Sequence, residues 1–176
     1  MPKINAATVK LFAAFLVGLT ALPLAAVVSA LLGFWRADAT QDPPQWEVAI
    51  ASRALQASIE SQAPVVKSPL PGDTATILAG MKLYQGACAG CHGLAKLHSI
   101  YGHAAYPRVP QFGREPPRLT DYQAYWVIKN GIRYSAMAGM HDQMPDADIW
   151  RVAQFVSHVR DLPPEAATAW KALKAQ

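Results

Sequence analysis

Two thiols and an imidazole stand together at Cys88-Ala89-Gly90-Cys91-His92. A Cys-x-x-Cys-His run reads as a covalent attachment site for c-type haem. On one helical turn, thiols three positions apart can each add to a vinyl group of the same porphyrin. The adjacent histidine then stands close enough to bind iron from one face. The competing chemistries are a redox dithiol and half of a zinc site. A dithiol does not require the following histidine, and a zinc site wants a second ligand pair. The chain has two cysteines in all, so that pair is absent, and haem attachment leaves neither thiol for a disulfide. What occupies the other face of the iron is the open question.

Helices must carry this site. Asp73-Thr74 can cap a helix with Ile77, Leu78, Met81 and Tyr84 on its apolar face, running straight into Cys88. Gly80 inside it costs about 1 kcal/mol relative to alanine, which calls for a packing reason such as the close approach of another helix. After His92 an irregular segment extends to about residue 119, punctuated by Gly93, Gly102, Pro107, Pro110, Gly113, Pro116 and Pro117. A loop of this length in a small domain usually serves function; here it would wrap the porphyrin edge. Thr120-Asp121 opens a second helix with Tyr122, Tyr125 and Trp126 on one face, and Asn130-Gly131 stops it. The 132–145 loop holds Met137, Met140, His141 and Met144. Asp146 caps a last helix in which Ile149, Val152, Ala153 and Val156 fall at helical spacing, with Trp150, Phe155 and Val159 widening the face. Pro163-Pro164 ends it, and residues 165–176 either add a short helix around Trp170 and Leu173 or fray.

Upstream lies a different kind of segment. Residues 11–35 contain no charged side chain; as a helix they would run about 38 Å, enough to cross the roughly 30 Å hydrocarbon core with some tilt. Lys3 and Lys10 precede the run, which by the positive-inside rule leaves the N-terminus cytoplasmic and the remainder outside. A cleaved signal peptide competes, with Val28-Ser29-Ala30 as the cleavage site. The apolar run, however, is longer than the roughly 7–15 residues of such segments and continues past that site. A retained anchor is therefore the expectation. Asp42-Pro43-Pro44 breaks any helix leaving the membrane. A helix is predicted over residues 46–62, with Val48, Ala51, Leu55 and Ile59 near one face and Trp46 and Ile50 off it. Lipid, a partner protein or the haem domain itself would each suit that face. Pro64, Pro69 and Pro71 mark an extended, semi-rigid linker on which the haem domain could swing. The division expected is anchor 1–36, spacer 37–73, haem domain 74–162 and tail 163–176. The 176 residues carry a net charge of +4 without a Lys/Arg-rich block, so a nucleic-acid partner has no support.

From residue 79 to 162 the chain resembles the class I c-type cytochromes, most closely the small monohaem domains attached to respiratory membrane proteins. The resemblance rests on Gly80-Met81-Lys82-Leu83-Tyr84 ahead of the Cys88–His92 motif, Tyr106-Pro107-Arg108-Val109-Pro110-Gln111-Phe112, and Trp126-Val127-Ile128-Lys129-Asn130-Gly131-Ile132-Arg133. Met137 and the stretch from Asp148-Ile149-Trp150 to Phe155-Val156 complete it. It implies an all-α class I cytochrome c fold, three to five helices around one haem c attached through Cys88 and Cys91, behind an N-terminal transmembrane helix. The first and last helices of the domain would cross, with Gly80 and Tyr84 meeting Val152 and Phe155. The Pro110 carbonyl would accept a hydrogen bond from the far ring nitrogen of His92, and Met137 would be the sixth ligand. Ala138 stands where the family often has proline; Met140, His141, Met144 and an open site are the alternatives to Met137. His98, His103 and His158 read as surface residues, and Met81 as core.

A His/Met-ligated haem has no open position for a small-molecule substrate, and its thioether ligand raises the potential. Such a site fits an electron carrier and not a catalyst. The expected setting is the inner membrane, single-pass through residues 11–35, with the haem domain in the periplasm and redox proteins or respiratory-complex subunits as partners. Arg108, Arg114, Arg118, Lys129 and Arg133 would form a basic docking rim near the haem edge, against Glu115 and Asp121. A fixed subunit of an oxidase or dehydrogenase and an open-site ligand-binding haem protein are the other readings.

Overall fold

The computed structural model describes residues 5–174. Their regular structure is entirely helical, in two compact units that divide after Asp38.

The first unit is built on α1 (Ala6–Leu31), whose start is capped by Asn5 accepting the Thr8 N–H at 2.8 Å. None of its described side chains is buried. It is long and apolar enough to cross a membrane, its 26 residues amounting to about 39 Å. The helix starts and stops earlier than the charge-free run 11–35. Lys10 lies within it, because a charged side chain does not interrupt the backbone ladder. Gly33 at φ 80° turns the chain beyond Leu31, and the Trp35 indole folds back to donate to Ser29 Oγ at 3.0 Å. Pro23 lies inside the helix, and Lys3 lies outside the described residues.

The second unit holds α2 (Gln45–Gln62), α3 (Thr74–Ala87), α4 (Ala89–His92), α5 (Ile100–Ala104), α6 (Asp121–Asn130), α7 (Asp146–His158) and α8 (Pro164–Ala172). Its centre is the crossing of α3 over α7. At that crossing a Cβ on Gly80 would land on the Arg151 carbonyl, 3.1 Å from Phe155 Cβ. The missing side chain is what lets the two backbones meet, and it places Tyr84, fully buried, 5.1 Å from Phe155 between ring centroids. Asp73 is the residue that caps α3, accepting from Thr76 N–H at 2.8 Å.

Of the C-terminal stretch, Pro164–Ala172 forms a helix. Pro164 begins α8, and Trp170 packs against both Tyr84 (5.6 Å) and Phe155 (5.2 Å). Burying an indole in an aromatic trio stabilises the helix far more than its length alone would.

The proline-marked stretch ahead of α3 is tied down and not free to swing. Ala63 is buried beside Ile59 and Val127. The Gln154 amide, itself buried in α7, donates to Ser68 Oγ at 2.8 Å and to the Leu70 carbonyl at 3.3 Å. Proline spacing reports stiffness but says nothing of a glutamine 86 residues beyond Ser68 that can bind the chain.

Helix α6 starts in a Thr120/Gln123 capping box and ends at Gly131, φ 73°. It packs on α7 through a parallel stack of Tyr125 on Trp150, centroids 4.1 Å apart. Asp146 is the first residue of α7 and not its cap, a position held by Pro145. Its carboxylate instead accepts from Lys129 Nζ and from Tyr125 OH, each at 2.9 Å. Those two hydrogen bonds hold the Asp146 carboxyl below its usual value of 3.8, and the Tyr125 and Asp146 contacts raise Lys129 above 10.5. The lowered acid contributes stability above pH 3.8 that is lost as pH falls through its folded value. The raised lysine contributes stability below pH 10.5 that is lost as pH rises through its own. The clamp therefore works across the neutral range. Asp146→Asn should lower Tm most between about pH 5 and 9, with the gap to wild type narrowing as pH falls below 3.8. Melting curves across pH check it; a gap that persists undiminished in acid contradicts the assignment.

Candidate functional site

The Cys88–His92 motif sits at the break between two helices. Cys88 ends α3, its N–H bonded to the Tyr84 carbonyl at 2.8 Å, and the single turn of α4 follows. Its carbonyl in turn accepts from the Cys91 and His92 N–H groups at 3.1 and 2.9 Å, so both thiols ride on one helical turn. Neither is in a disulfide. Cys88 is half-buried and burial, with Cys91 nearby, pushes its thiol up to about 12; Cys91 is exposed.

The four consecutive carbonyls of residues 90–93 are each held from outside the motif. Ser99 Oγ donates to Gly90 O, Gln111 Nε2 to Cys91 O at 3.0 Å, Phe112 N–H to His92 O at 2.9 Å, and Tyr84 OH to Gly93 O at 2.8 Å. Gly93 at φ 70° leaves the turn in a conformation that side chains rarely adopt. Gly102 in α5 touches the same turn, since a Cβ there would land on the Cys91 carbonyl. The loop after His92 thus closes over the back of the motif as a hydrogen-bonded collar.

His92 is oriented by that collar. Its Nδ1 lies 3.0 Å from the Pro110 carbonyl oxygen, and its ring packs on Phe112 at 4.3 Å. A carbonyl can only accept, so Nδ1 carries the proton and Nε2 keeps its lone pair. Burial pushes the imidazole pKa down, against the opposing effect of the Pro110 bond. This is a neutral imidazole with one nitrogen ready to ligate, held by a backbone acceptor of the kind that orients metal-bound histidines.

The 132–145 loop is clamped to the end of α6. Ile132 N–H donates to Met137 O at 3.0 Å, Met140 N–H to Ile128 O at 3.0 Å, and His141 N–H to Lys129 O at 3.2 Å. Gly139 lies so close that a Cβ would come within 2.8 Å of the Lys129 carbonyl oxygen. Met137, Met140 and Met144 are all half-buried against the core cluster that also holds Phe112 and receives Cys88. Both nitrogens of His141 already face partners, Lys129 O at 3.2 Å and Asp142 at 3.0 Å. His98 and His103 are exposed, whereas His158 is half-buried with Nδ1 2.9 Å from the Gln154 carbonyl. Met81 is core.

Of the five cations expected on a basic rim, two are engaged elsewhere: Arg108 pairs with Asp42 and Lys129 with Asp146. Arg114, Arg118 and Arg133 are exposed. The sequence reading also passed over Gln111, Ser99 and the Tyr84 hydroxyl as parts of the site. A polar residue directly after Pro110 was the available signal, but its partners lie on three separate segments.

Paired thiols on a turn, an imidazole with a free Nε2 and a methionine loop ahead of the last long helix are a donor set that fits haem c. They define a c-type cytochrome domain. Residues 75–156, from α3 into α7, match the family model of cytochrome c oxidase, cbb3-type, subunit III. No curated protein and no solved structure matches the chain. The match supports a monohaem c-type cytochrome domain within described residues that are helical throughout; such a domain implies covalent haem c, and Cys88 and Cys91 have the spacing of the attachment motif. Gln111→Leu removes donors from the Cys91 and Val109 carbonyls and the acceptor of the Ser99 N–H at 2.8 Å. It should lower the unfolding free energy of the holoprotein by about 1–3 kcal/mol, measured by urea titration; an unchanged midpoint would mean that water replaces the amide without cost.

Proposed function

We propose that this protein is a membrane-tethered electron carrier whose haem is attached through Cys88 and Cys91 and ligated by His92 and Met137. The observation that carries the reading is the His92–Pro110 bond at 3.0 Å, which leaves Nε2 as the one free nitrogen of a positioned imidazole. Bound haem c supplies one-electron exchange between ferric and ferrous iron. The chain's part is to hold both ligands still so that the exchange requires little rearrangement. The collar fixes His92, and the backbone bonds from Ile132 and Met140 fix the loop that presents Met137. A thioether ligand favours the ferrous state and raises the potential. Met140, one turn of loop further on, is the competing thioether.

Helix α1 serves in this reading as a single-pass anchor in the inner membrane, N-terminus cytoplasmic, with the haem domain in the periplasm. Lys10 near its start and the apolar face it presents all round support that orientation. A second setting, a fixed subunit of an oxidase, is favoured by the description of the matching family model.

Two experiments test these assignments. In ferric holoprotein the weak near-infrared sulfur-to-iron band should be present, lost in Met137→Ala with a fall in midpoint potential, and retained in Met140→Ala; the reverse pattern moves the ligand to Met140, and absence of the band from wild type makes the site open. In membranes washed with alkaline carbonate the full-length chain should stay in the pellet with intact mass, and mild detergent extracts should show whether oxidase-sized subunits come with it. Release of a chain beginning at Leu31 would replace the anchor with a cleaved leader.

A further inference from the structure

Helix α2 lies outside the segment matched by the family model, yet it meets the loop that orients His92 and belongs to a hydrophobic cluster on which Met137 packs. Ahead of its first turn, Asp42 pairs with Arg108 at 2.5 Å, and within that turn Glu47 accepts from Tyr106 OH at 3.1 Å. Tyr106 and Arg108 belong to the same short loop as Pro110, the acceptor for His92. At the other end Ile59 and Ala63 are buried with Val127, and Leu55, Ile132 and Met137 pack on that cluster. Met137 therefore packs against two hydrophobic groups, the domain core and the small cluster in which Ile59 and Ala63 join Val127 of α6. Eighteen residues of helix span about 27 Å.

The attachment is also separable from the rest of the fold. Among the described helices α2 packs on α6 alone, and its exposed side carries Trp46 and Ile50, both about two-thirds exposed. A helix held along one narrow apolar stripe opens at lower cost than the α3–α7 core.

We propose that α2 is a strap that seats Met137, with Ile59 as the positioning residue: docked, it closes the methionine loop from behind and favours the thioether over competing ligands; undocked, it lets the thioether go. This rests on Met137 being the sixth ligand. The alternative is that α2 merely stabilises the fold, and the two differ in what an external ligand does.

The test uses full-length ferric holoprotein and imidazole as a competitor for the sixth position, followed by loss of the near-infrared band. Ile59→Asp should bring half-displacement at about tenfold lower imidazole, with a lower midpoint potential. Ile59→Leu should behave as wild type. Ala166→Gly, buried in α8, should lower Tm without moving the imidazole curve. If Ile59→Asp does not accumulate with haem, Ile59→Ala carries the same measurement, with a shift of about threefold expected. Curves that superimpose on wild type in the Ile59 variants, or that move equally in Ala166→Gly, overturn the strap. A band that survives Met137→Ala overturns the ligand assignment itself, whereas its loss in Met137→Ala with no response in the Ile59 variants overturns the strap alone.

Discussion

The backbone contact at Gly80 sets the geometry on which the remaining structure depends. Without a Cβ, α3 sits directly on the Arg151 carbonyl of α7, and every other element takes its place from that crossing. Helix α3 ends at Cys88, so the crossing fixes where the thiols and His92 leave the core. Helix α7 follows the methionine loop and carries α6 on its flank, so the same crossing fixes where Met137 arrives. Any side chain at residue 80 would push the two helices apart and with them the two sources of ligands. Overpacking of this kind typically costs about 1–3 kcal/mol, but the larger consequence is the displacement of the site.

Around the motif the protein uses hydrogen bonds where it has little apolar material to spend. Four carbonyls in succession are held by a serine, a glutamine, a backbone amide and a tyrosine. Each such bond contributes modestly to stability, about 1 kcal/mol, whereas an unmet buried acceptor costs more. Their joint effect is rigidity: the turn bearing both thiols and the imidazole cannot shift without breaking several at once. Tyr84 links this polar collar to the core, since its ring packs on Phe155 and Trp170 while its hydroxyl meets Gly93.

The compact unit extends beyond the segment that matches the cytochrome family model. Helix α8 contributes Trp170 to the aromatic core, the 63–70 stretch is tied to Gln154, and α2 closes over α6. A haem domain that begins at Thr74 and ends at Leu162 would leave Tyr84, Gln154 and Met137 each without a neighbour that they have in the full chain.

Much of this was legible in residue types and spacing. Cys88, Cys91 and His92 declare their chemistry because no other use of that spacing needs all three. Gly80 asks for a close helix because glycine is otherwise costly there, and the start and stop of α6 follow from Thr120 and Gly131, whose capping requirements are local. What tertiary structure alone decided are the contacts between segments distant in sequence: Gln154 with Ser68, Trp170 with Tyr84, Asp146 with Lys129, and Ile59 beside the cluster that holds Met137. The physical reason is range. Backbone conformation and covalent chemistry are set by neighbours within a turn, so sequence reports them, whereas a docked helix or a hydrogen-bonded linker depends on surfaces that exist only once α3 and α7 have crossed.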